Sequence, residues 1–65
     1  MEIEYNKLWK KLIDNNMKKK DLQEAAQISS NTIAKLGKNE TVSFEVLMKI
    51  ATALNCKVEE LFETK

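Results

Sequence analysis

The chain has 65 residues, 43% apolar and 32% charged, with a formal net charge of +1. That length reads as one domain, residues 1–65 with a core over about 5–62, burying only about 60% of the unfolded surface, and the apolar content argues against disorder. No apolar run approaches the roughly 20 residues of a membrane span and no signal-peptide pattern opens the chain, so a cytoplasmic protein without membrane association is expected.

Residues 1–4 read as a loose or extended lead-in. Helix 1 is expected from Asn6, as its N-cap, to Asn15, with Tyr5, Leu8, Trp9, Leu12 and Ile13 on one buried face. Asn15 and Asn16 should end it, because Asn tolerates the left-handed conformation common at helix C-termini. Helix 2 starts near Lys19 and buries Leu22, Ala25 and Ala26. Lys18, Lys19 and Lys20 then crowd a helix N-terminus, where the dipole disfavours cations by some tenths of a kcal/mol each. Either they are a solvated charge run, or an anionic group such as a phosphate belongs beside them.

A break follows at Gln27 and Ile28, and Ser29 stands as the N-cap of helix 3. This helix buries Ile33 and Leu36 and leaves Ser30, Asn31, Ala34, Lys35 and Lys38 on its other side. Two short helices meeting at a tight corner, the second with an uncommitted polar face, form a helix-turn-helix pattern. Residues 38–41 make the next loop. Ser43 caps helix 4, with Glu45 in its favourable first turn and Val46, Leu47, Ile50, Ala51 and Leu54 along its buried stripe. After Asn55, Cys56 and Lys57 comes a short helix 5 over 58–63, where Val58, Leu61 and Phe62 close the core. The architecture expected is all-α, with five helices. Its core is Leu8, Trp9, Leu12, Ile13, Leu22, Ala26, Ile28, Ile33, Leu36, Leu47, Ile50, Ala51, Leu54, Leu61 and Phe62.

Residues 19–36, KKDLQEAAQISSNTIAKL, and the later L-x-x-I-A-x-A-L-x-C-x-V-x-x-L of residues 47–61 resemble the phage-repressor/Cro-type (XRE) family. The resemblance spans about residues 5–62. It implies a lambda-repressor-like five-helix domain that binds double-stranded DNA through helices 2 and 3. On that basis Ser30, Asn31 and Lys35 face base edges in the major groove. Lys18, Lys19, Lys20, Thr32, Lys38, Asn39 and Thr41 touch the DNA backbone. It also implies pairing on DNA as a homodimer, through helix 5 with Val58 and Phe62. The chain departs from the family in several places. Lys18 stands where a Ser, Thr or Asn cap is usual, Gln27 replaces the turn Gly, and Gln23 replaces a small residue. Gly37 and Leu12 occupy the positions of a Glu–Arg ion pair.

Other functions fit poorly. Histidine is absent and Cys56 is the lone cysteine, so neither a disulfide within the chain nor a structural zinc site is expected. Without histidine, and with Gly37 as the single glycine, no catalytic base–nucleophile set or phosphate loop presents itself, so no enzyme, cofactor or small-molecule ligand is expected. Residues 1–40 hold eight lysines against six acids, net +2, whereas 41–65 hold three against four, net −1. A small repressor of transcription is the reading preferred. The alternative is a protein-interaction module, antitoxin-like or regulatory, that keeps the fold without specific DNA binding. A positive stripe along helices 2 and 3 favours the first; an exposed apolar patch there favours the second.

Overall fold

The computed structural model describes residues 2–64. In chain order they form β1 (Ile3–Glu4), α1 (Asn6–Asp14), α2 (Lys19–Ala26), α3 (Ser30–Gly37), α4 (Phe44–Leu54), a 3-10 turn (Val58–Glu60) and β2 (Glu63–Thr64). The fold is mostly helical, with four α-helices among the described residues rather than five. Residues 58–63 make no α-helix because their backbone bonds span three residues: the Glu60 N–H donates to the Lys57 carbonyl and the Leu61 N–H to that of Val58, each at 3.0 Å. Glu60 tightens this turn by accepting the Lys57 N–H at 2.8 Å. The chain then extends, and Glu63 and Thr64 pair antiparallel with Glu4 and Ile3. Within the lead-in, of which residue 1 lies outside the described residues, Ile3–Glu4 is therefore a strand that ties one end of the described chain to the other, and the expectation of an all-α fold is corrected to that extent.

α1 begins at Asn6, with Tyr5 rather than Asn6 in the cap position, and closes on Asn15. Asn16, Gln27, Asn39 and Asn55 lie in the left-handed region, with φ of 54°, 55°, 58° and 53°. Three of the four are Asn, the side chain besides Gly that tolerates this geometry most readily. Ser29 and Ser43 cap α3 and α4 as their positions imply, accepting from the N–H of Thr32 and Val46 at 3.2 Å each.

The core is Tyr5, Leu8, Leu12, Leu22, Ala26, Ile28, Leu36, Leu47, Ile50, Ala51 and Leu61. Trp9, Ile33, Leu54 and Phe62 pack against it half-buried. Ile13 does not join: 73% of it is exposed. At about 100° per residue, Tyr5, Leu8 and Leu12 cluster within one arc, Trp9 falls at its edge, and Ile13 lies about 100° beyond Leu12. The same rotation leaves Ala25 of α2 exposed while Leu22 and Ala26 are buried. α4 packs on α2 and on the 3-10 turn, and α2 in turn packs on α3. No helix among the described residues is long and apolar enough to cross a membrane.

Candidate nucleic-acid interface

α2, the turn through Gln27 and Ile28, and α3 form the corner expected from the sequence. Lys18 stands extended before α2 and cannot cap it, since an ammonium accepts nothing. Asp21 supplies the reciprocal half of the cap: its Oδ2 accepts the Lys18 N–H at 2.9 Å. Placing an acid in the first turn also offsets the lysines gathered there. At the other end, Gln27 takes the left-handed turn position despite its side chain, and the Ile28 N–H returns to the Gln23 carbonyl at 3.1 Å. Ile28 is buried and so plugs the corner.

α3 leaves the turn with Ser29 as its cap. The Ser29 and Thr32 hydroxyls also share a hydrogen bond of 3.0 Å, so Thr32, expected at the phosphate rim, is half-buried and already engaged at the helix start. Leu36 is fully buried and Ile33 partly so, which turns the opposite side outward. There Asn31, Ala34, Lys35 and Lys38 fall at helical spacing into one exposed stripe, with Ser30 about 100° round from Asn31 at its margin. The side chains of Ser30, Asn31 and Lys35 make no hydrogen bond or ion pair among the described residues. They are available to a ligand.

The flanks are built differently. Lys18 and Lys20 are exposed before and within the first turn of α2. Lys19 is also exposed, but its Nζ lies 4.6 Å from the centroid of the Trp9 ring. Beyond α3, Lys38, Asn39 and Thr41 are exposed on the loop toward α4. That loop is pinned twice: the Glu40 N–H donates to the Lys35 carbonyl at 2.9 Å, and the Tyr5 hydroxyl donates to the Glu40 carbonyl at 2.6 Å. Burial pushes the Tyr5 hydroxyl above its ordinary pKa, with the Val42 backbone opposing. The family description of a Cro/C1-type helix-turn-helix DNA-binding domain matches residues 7–65. This chain belongs to that family. Its fold is also similar to the crystal structure of the transcriptional regulator VanUg, form II. The two share 53% sequence identity at a TM-score of 0.90, over 95% of this chain and 83% of that one. Comparison with curated proteins gives no match.

Membership of the Cro/C1-type family supports double-stranded DNA as the ligand class of the domain. Among the described residues no group of three or more His, Cys, Asp and Glu side chains could hold a metal ion. Cys56 is half-buried, its thiol pushed up by burial, with Lys11 opposing and Glu60 adding. Three residues that serve this face were not singled out for it by the sequence reading. Tyr5 looked like plain core, although a buried Tyr needs a partner for its hydroxyl. Asp21 follows Lys18 by three residues, the spacing of a capping box, but the lysine hides the pattern. Trp9 gave no signal, because its contact with Lys19 joins α1 to α2.

Proposed function

We propose that the chain is a sequence-specific transcription regulator, a small repressor, acting as a single helix-turn-helix domain over residues 1–65. α3 enters the major groove, and Ser30, Asn31 and Lys35 meet base edges. Lys18, Lys20, Lys38, Asn39 and Thr41 hold the phosphates on either side, with Thr32 at the rim. The observation that carries this reading is the stripe of uncommitted polar side chains on α3, held by a buried Leu36 behind it. The similarity to a transcriptional regulator supports it. So does the lack of a large exposed apolar side chain on α2 and α3 themselves among the described residues: Ile13, Phe44 and Met48 lie on α1 and α4, with Ile13 bordering Lys18 and Lys19 and Met48 bordering Ala25, Ala26 and Gln27.

One short helix reads few base pairs, so two copies on a two-fold site are needed for useful discrimination. Val58 and Phe62 are half-buried and leave apolar area for a second copy. Selection of bound duplexes from random DNA at stated salt tests the whole reading. A motif with two related half-sites is the expected product. Recovery of no motif above the starting pool would contradict it.

A further inference from the structure

Lys19 is the first residue of α2, and a cation there opposes the dipole of its own helix. Family resemblance would give its charge to a DNA phosphate. The structure seats it elsewhere. Its ammonium lies 4.6 Å from the centre of the Trp9 ring on α1, where the ring quadrupole attracts it. The same nitrogen stands near the last residue of α3: a Cβ built on Gly37 would lie 3.8 Å from it. Gly37 has no positive φ, and 3.8 Å is ordinary contact, so neither backbone nor space demands glycine there. The C-terminal end of α3 carries the negative pole of its helix dipole, which attracts a cation placed beside it. Trp9, Leu12, Ile13, Met17 and Lys18 complete the shelf on which Lys19 lies.

We propose that Lys19 is a positioning residue of the helix-turn-helix: held between the Trp9 ring and the α3 C-terminus, its ammonium fixes α3 against α1 and α2. The Glu–Arg ion pair that would join α1 to α3 is missing here, with Leu12 and Gly37 at its positions, and Lys19 joins the same two helices from the third. This removes Lys19 from the phosphate contacts that the family resemblance implies, and it rests on the proposed function only for its DNA arm.

The first arm uses the free protein. Amide hydrogen exchange is followed at Lys38 and Asn39, which donate to the carbonyls of Ala34, Lys35 and Leu36 and so close the last turn of α3. Lys19→Met keeps the apolar stem and removes the charge. Exchange at these amides should rise about two- to five-fold, the range of an exposed cation–π contact. Lys19→Arg, which can stack on the ring, should restore protection. Trp9→Leu should reproduce Lys19→Met, and the double variant should add nothing further. Unchanged exchange in Lys19→Met, or effects of Lys19 and Trp9 that multiply, would overturn the proposal. Because Lys19 is exposed, the Met and Arg variants decide the matter even if Trp9→Leu does not fold. The second arm measures binding to a selected duplex across salt. Lys19→Met should weaken it with an unchanged slope of log K against log salt. A slope lower by about one unit would make Lys19 a phosphate contact and overturn the proposal. Absence of specific DNA binding would sink the proposed function and leave the exchange result standing by itself.

Discussion

The Tyr5 hydroxyl donates to the Glu40 carbonyl oxygen at 2.6 Å, joining the start of α1 to the loop behind α3 across 35 residues of chain. Tyr5 is fully buried, so this bond sets where Lys38, Asn39 and Thr41 stand relative to the core. Tyr5→Phe keeps the ring and loses the bond. It should cost about 1 kcal/mol in urea unfolding at neutral pH. The folded-state pKa of Tyr5 is raised, so its contribution is present below the unfolded value near 10 and lost as pH rises through the folded one. The advantage of the natural chain over Tyr5→Phe should therefore vanish on going well above pH ~10.

Gln27 carries φ 55°, an expense that glycine would avoid. Gln27→Gly should stabilise the domain by about 0.5–1 kcal/mol, after allowance for the extra freedom of glycine in the unfolded chain. Thermal unfolding checks the sign. A destabilised variant would mean that Gln27 makes a contribution the backbone angle does not reveal.

α1 offers a paired test of the core. Leu12 is 3% exposed and Ile13 is 73% exposed, although both are large, apolar and adjacent. Leu12→Ala should cost about 2–5 kcal/mol and Ile13→Ala less than about 0.5 kcal/mol in urea unfolding. Similar losses for the two would require α1 to be rotated from the position described.

Most of the fold was legible, and what failed did so for local reasons. Ser29 and Ser43 announced their helices because a hydroxyl before an apolar run has few other uses. Leu22, Ala26, Leu36 and Ile50 were placed in the core by spacing alone. Ile13 and Ala25 were misplaced because a one-residue step turns about 100°, which an apolar letter does not disclose. The fifth helix was misread because Val58, Leu61 and Phe62 suit either an α-turn or a 3-10 turn followed by a strand. The pairing partner that decides between them, Ile3–Glu4, lies at the far end of the chain. Of the site, the polar face of α3 could be read from periodicity. The supports given by Tyr5 and Trp9 could not, since both are long-range contacts.

Glu60 stabilises the 3-10 turn through its carboxylate, which accepts the Lys57 N–H and stands 3.7 Å from Lys11 Nζ. The Lys57 backbone bond first, and then Lys11, hold its pKa below the ordinary value. A depressed folded-state pKa gives stability that is present above the unfolded value of about 4.3 and lost as pH falls through the folded one. Glu60→Gln should accordingly lower the urea midpoint at pH 7, and the two proteins should converge near pH 3. A constant difference across that range would contradict the assignment.

We propose that α3 reads bases through Asn31. All eleven basic residues are lysine, so the planar arginine fork for guanine is absent. Asn31 can make the bidentate contact to adenine, which predicts a strongly preferred A·T pair beneath it. The decisive measurement is binding of Asn31→Ala and the natural chain to a selected duplex, its single-position variants and a scrambled duplex at one salt concentration. Asn31→Ala should cost about 1–3 kcal/mol on the selected duplex, relax the preference at one base pair, and leave scrambled DNA nearly unaffected. Equal weakening on selected and scrambled DNA would contradict the account.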